Sequence, residues 1–304
     1  MSANVTRDSS AFRATASRVF RPGEDGRLLL ERPGCDQPGP PDASCPPHVV
    51  AAHAALRAFV EHEAYPCVGA KAAIHSGSYR FGAYPPLATD AAIEASVRDL
   101  QWFASAAPSI DPQYATFVAV FDGPPIADDE EFELLLWAHL NGMHHADAVD
   151  YDWDPRVSDD PERPDFSFSI GGEAFFLIGM HPQASRLARR FPFPTIVWNL
   201  HAQFERLREE GKFARMREVV RERDEALQGG ENPELRDFGD GSEARQYSGR
   251  SHPPDWSAPF ELRRRTEREA SQIRSAEGVA PAEVATPEPS FEPADPLRRC
   301  AVRE

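Results

Sequence analysis

Phe166-Ser167-Phe168-Ser169-Ile170-Gly171-Gly172-Glu173-Ala174-Phe175-Phe176-Leu177-Ile178-Gly179-Met180 decides the fold of this chain. Residues 166–170 and 174–180 are rich in aromatic and β-branched side chains, and Gly171-Gly172-Glu173 between them reads as the turn of a β-hairpin. A hairpin places antiparallel neighbours in a sheet, whereas a doubly wound fold needs helical crossovers between parallel strands. The expected class is therefore α+β: one domain with a central, largely antiparallel sheet packed by helices.

Working outward, Thr116–Phe121 is a buried strand stopped by Asp122-Gly123-Pro124-Pro125, and 195–199 is another. Helices are expected over 48–63, from a cap at Thr89 or Asp90 to about 106, and from Asp128 to about 147. A short basic helix is expected over 183–190. A long charged helix is expected over 202–227, with a break near Gly211. Residues 1–47 carry six prolines between 33 and 47 and little periodicity, so they read as a disordered extension. Residues 262–304 turn Arg/Glu-rich and then Pro/Ala/Glu-rich, and read as a second disordered extension after a short helix near 263–275. The folded domain is placed at 48–261.

Composition narrows function. The 304 residues carry a net charge of −16, which disfavours a nucleic-acid partner, because phosphate binding needs clustered Lys and Arg. No apolar run nears the roughly 18 residues of a membrane span. The polar first 17 residues lack the apolar centre of a signal peptide. The four cysteines have neither disulfide-framework nor zinc-site spacing, so a reducing, cytoplasmic setting is expected. Gly-rich phosphate loops and a GxSxG elbow are absent from the sequence.

Cys67 stands apart from Cys35, Cys45 and Cys300, which lie in the flanks. It follows Pro66 and precedes a small-residue run able to start a helix, where the dipole favours a thiolate. It is thus either a small buried hydrophobe or a reactive or metal-ligating thiolate. His144 with Asp147, and His201 with Glu205, each share a helix face and together offer a ligand set for non-haem iron. Ordinary dipole and surface pairing explain the same residues. His181, between Met180 and Pro182, is either a strand-end ligand or a buried turn residue. Arg186 and Arg189 lie in one cluster, and Arg245 lies near Tyr247 and Arg250 in another. Such arginines clamp carboxylates bidentately or pair internally with Asp and Glu.

Several ordered blocks resemble the YqcI/YcgG family: Tyr65-Pro66-Cys67-Val68-Gly69-Ala70-Lys71, 166–172, Gly179-Met180-His181-Pro182 with Ser185-Arg186 and Arg189-Arg190-Phe191, 199–208, Asn232-Pro233, and 242–250. The resemblance spans about residues 50–261. Characterised members are haem-dependent N-oxygenases, among them the pre-guanitoxin N-hydroxylase and the arginine N-hydroxylase of D-cycloserine biosynthesis. The resemblance implies a haem cofactor, O2 with an external electron donor, and a small guanidine or amine substrate. On that reading Cys67 is the expected axial ligand, because a thiolate promotes O–O cleavage, with His201 and then His181 as rivals. Arg186, Arg189 and Arg245 are expected to meet haem propionates or a substrate carboxylate. Glu243 or Glu205 is expected to hold the cationic nitrogen, and Tyr247 to donate a hydrogen bond. The alternatives are a non-haem iron oxygenase and a haem-binding protein without turnover.

Overall fold

The computed structural model describes residues 18–23, 28–31, 45–230, 232–234 and 240–264. The described elements run β1 (Arg18–Pro22), β2 (Leu28–Glu31), α1 (Pro47–Glu61), α2 (Val68–Ser76), β3 (Tyr79–Tyr84), α3 (Asp90–Ile110), β4 (Thr116–Phe121), α4 (Asp129–Asp147), β5 (Phe168–Ile170), β6 (Glu173–Met180), β7 (Thr195–Leu200), α5 (His201–Glu209), α6 (Phe213–Gln228) and α7 (Ala244–Tyr247), with a 3-10 turn at Leu187–Arg189. Seven strands form one sheet in the order β2-β1-β3-β4-β7-β6-β5. Every pairing is antiparallel except β3 with β4, which α3 joins as a crossover. The class is α+β.

β4 explains the layering. All six of its residues are buried. Phe117, Ala119 and Phe121 enter a core with α3 and α4, while Val118 and Val120 enter a second core with α1 and α2. The period-2 alternation of a strand thus feeds both faces, as a central strand requires. The hairpin closes through Gly171 and Gly172, at φ +64° and +76°, with Ile170 opposite Glu173. Two left-handed positions in a two-residue turn are what glycine supplies without strain. Asp147, at the end of α4, accepts the Gly171 amide at 3.0 Å and ties the turn to the helix.

Capping follows the sequence closely. Thr89 accepts the Ala92 amide to start α3, and Asp128 accepts the Glu131 amide at 2.8 Å to start α4. The charged segment breaks at Gly211, at φ +68°, into α5 and α6.

Three expectations need correction. Residues 18–22 and 28–31, inside the stretch expected to be disordered, are strands: Val19 and Phe20 are buried, and β1 pairs with β3. The basic helix over 183–190 reduces to the 3-10 turn, because tertiary contacts take its backbone. Asp129 accepts the Ser185 amide, and Arg190 Nε donates to the Ala184 carbonyl at 2.8 Å. β3 was not foreseen. Arg80 and Gly82 interrupt its pattern, and buried Arg80 is tolerated through its ion pair with Glu31. The helix expected near 263–275 and the tail from 265 lie outside the described residues. None of the described helices is long and apolar enough to cross a membrane.

Candidate functional site

Cys67 is the N-cap of α2, and its Sγ accepts the Ala70 amide at 3.4 Å. Burial pushes the thiol up, and the amides of Ala70 and Gly69 pull the other way without overcoming it. Desolvation therefore beats the helix terminus here. The expectation of a position that favours thiolate is corrected: burial outweighs the two amides. Tyr65 packs edge-on against Phe59 at 5.1 Å, and burial first, then the nearby Cys67, raises its hydroxyl. The two residues that follow Cys67, Val68 and Gly69, wall a cavity of about 500 Å³. Leu207, Met216 and Val219 face them from α5 and α6, so the lining is mainly apolar. Lys212 and Arg215, both exposed, supply its cations.

The expected anion-binding arginines are all occupied by the fold. Arg186 pairs with Asp224. Arg189 donates to the carbonyls of Gly179 and Tyr247, each at 3.2 Å, and burial pulls it down to about 10. Arg245 donates to Glu234 at 3.0 Å and to the Pro253 carbonyl at 2.8 Å. Pairing with Asp and Glu, the competing explanation, describes Arg186 and Arg245, while Arg189 is taken by backbone carbonyls.

His181 is fully buried, stacked on Phe132 at 4.4 Å, with Nε2 3.0 Å from Asp129. Burial would raise Asp129, but hydrogen bonds from His181 and Ser185 hold it below the usual carboxylate range. His181 thus joins the end of β6 to the start of α4. His201, the first residue of α5, lies 3.2 Å from Glu205, which also pairs with Arg208. Burial lowers His201 despite that carboxylate.

Glu243, just ahead of α7, is buried and pushed up to about 8 by desolvation. Its Oε2 has no hydrogen-bond partner among the described residues. Arg208 and Glu205 both act on it electrostatically, so Glu243, Glu205 and His201 belong to one neighbourhood. Tyr247 does not face an opening. Its ring sits in the core with Trp137 at 5.9 Å, and its hydroxyl accepts the Phe168 amide at 3.1 Å. That bond fixes Tyr247 in the core, outside the lining of the cavity beside Val68 and Gly69.

The four residues considered for non-haem iron are spent separately. His144 Nε2 accepts the Arg263 amide at 2.9 Å, and Asp147 accepts from Gln101 at 2.8 Å as well as from Gly171. Among the described residues no group of three or more His, Cys, Asp or Glu side chains is arranged to hold a metal ion.

Sequence reasoning missed one network. Glu133 on α4 accepts from Ser248 at 3.0 Å and Arg250 at 2.8 Å, and pairs with the buried imidazole of His252. Glu234 accepts the His252 amide at 2.8 Å and binds Arg245. The available signal was Glu133 itself, a carboxylate beside Phe132 and Leu136 on the buried stripe of α4.

Comparison with known proteins places the chain. It is 32% identical over 144 residues to the uncharacterized protein YcgG of Bacillus subtilis (strain 168), covering 44% of this chain and 56% of that protein. It is 28% identical over 120 residues to the uncharacterized protein YqcI of the same organism, covering 38% and 46%. The chain thus spans about half the length of these relatives. No solved structure matches. The model of the YqcI/YcgG family matches residues 56–261, well over half of the chain, and the protein belongs to that family.

Proposed function

We propose that the chain is a haem-dependent N-oxygenase that hydroxylates a guanidine or amine nitrogen of an amino-acid-like substrate. O2 and an external electron donor complete the reaction, and the setting is cytoplasmic. The carrying observation is the position of Cys67: its two successors wall a mainly apolar cavity edged by Lys212 and Arg215. A flat apolar macrocycle with anionic edges suits a mainly apolar cavity with cations at its edge, and Cys67, directly before Val68, is the soft donor next to that lining in sequence.

Each residue has a role on this reading. Cys67 would hold the haem iron, which would require loss of the proton that burial keeps on its thiol, and the Ala70 and Gly69 amides would ease that loss. Bound haem would supply O2 activation, which a thiolate ligand promotes. Arg215 takes the anion-binding role first expected of Arg186, Arg189 and Arg245, while Lys212 beside it pairs with Glu210 at 2.7 Å. Glu243 is the carboxyl left to receive a cationic nitrogen, since Glu205 already carries Arg208. His201 is the histidine alternative to Cys67, whereas His181 is sealed against Phe132 and Asp129.

An absorption spectrum of the purified protein given haem tests the proposal. A Soret band is expected, and its ferrous–CO complex should show thiolate ligation that Cys67→Ala removes. Absence of haem uptake sinks the function. An unchanged spectrum in Cys67→Ala moves the ligand to His201. Turnover with L-arginine, reductant and O2 separates an enzyme from a haem carrier.

A further inference from the structure

α6 is unlike the other long helices. Of its 16 residues only Asp224 is buried; Phe213, Met216, Val219, Val220 and Leu227, at helical spacing, are all half-buried. A helix packed on a core buries such a stripe. Both ends are glycine elbows in open space. Gly211 and Gly229 have φ of +68° and +80°, and a Cβ on either would meet nothing within 4 Å. The first turn pivots on α5, where Phe213 meets Phe204 at 6.3 Å and lies under the Arg208 guanidinium at 4.5 Å. The last turns are fastened to the segment after β6. Asp224 pairs with Arg186, and the Gln228 side chain accepts the Leu187 amide at 2.8 Å and donates to the Ser185 carbonyl at 3.2 Å. Between pivot and fastening, Arg215, Met216 and Val219 form one wall of the 500 Å³ cavity.

We infer that α6 is a lid on that cavity, hinged at Gly211 and Phe213 and latched by Asp224 and Gln228. None of the apolar residues of this stripe reaches the full burial seen in α3 and α4, so opening α6 uncovers less apolar surface than detaching either of those helices would. The latch is the strong point: Asp224 offsets the charge of both Arg186 and the buried Arg189. The inference rests on the cavity and not on its occupant, so it stands or falls independently of haem.

Amide hydrogen exchange on the full chain without haem tests it. The amides of residues 216–228 should exchange at least tenfold faster than those of α3 and α4. Asp224→Asn should accelerate them at least a further tenfold while leaving α3 and α4 unchanged, and Gln228→Ala should do the same by a smaller factor. Protection of α6 equal to that of α3 in the unaltered protein overturns the lid. So does acceleration spread evenly over α3, α4 and α6 in Gln228→Ala, the variant retained if Asp224→Asn does not fold.

Discussion

Two sides of the molecule treat charge and apolar surface in opposite ways. Where residues 240–264 cross α4, Glu133, Glu234, Arg245, Arg250 and His252 bind one another, and Trp256 and Phe260 pack against Trp137. Across α5, α6 and α2, Glu243 keeps an unpartnered oxygen, the stripe of α6 stays half-buried, and a cavity opens. The first side spends its polar groups on the fold. The second pairs Arg186 with Asp224 and Glu205 with His201 and Arg208 but leaves a cavity open and one buried oxygen of Glu243 unpartnered, and departures from local consistency are where function concentrates.

Four measurements can break or sharpen that contrast. Glu133→Ala strands Arg250 and His252 without their carboxylate, and should cost about 3–5 kcal/mol in denaturant unfolding. A loss near zero would mean that the network is not structural. Glu243→Gln should stabilise instead, by on the order of 2 kcal/mol at pH 8. The folded carboxyl, raised to about 8, binds a proton that the unfolded one has released by about pH 5. Its stability contribution is therefore complete below the unfolded value and lost as pH rises through 8, so the gain from Gln should shrink toward pH 4. If catalysis falls in the same variant, the orphan carboxyl is functional.

The third measurement is the pH profile. Burial lowers His53 to about 4, His139 to about 3, and His144 to about 4. Each contribution is present above the unfolded value near 6.5 and lost as pH falls toward the folded one. The unfolding free energy should decline from about pH 6.5 downward, with a slope approaching about 1.4 kcal/mol per pH unit for each histidine. His139→Gln should flatten that slope by one proton. Smallest is Met216→Ala, expected to cost under about 1 kcal/mol, against about 2–5 kcal/mol for Leu136→Ala in the core of α4. Equal costs would show α6 to be packed as tightly as α4.

The legible parts of the fold were those in which one local signal decides. The apolar run 117–121 of β4, the glycine pair of the hairpin, the caps at Thr89 and Asp128, and the break at Gly211 each act through their own stretch of chain. Illegible parts depend on distant partners. β3 tolerates Arg80 only because Glu31 lies on β2, and residues 183–190 leave the helical path because Asp129 holds Ser185. The site divides in the same way. Cys67 and the blocks around it were readable. The engagement of Arg186, Arg189 and Arg245 was not, because Asp224, the Gly179 carbonyl and Glu234 come from remote elements.

The pairing of β1 with β3 has a practical consequence. Residues matched to the family begin at 56, yet β1 and β2 lie on the outer edge of β3 and form its cover there. A shortened chain starting at that boundary would bare a row of unsatisfied backbone groups on a strand carrying Tyr79, Phe81 and Tyr84. Exposed apolar edges recruit further strands and aggregate. The N-terminal hairpin is thus the chain's guard against self-association, and expression of this protein in soluble form should require it.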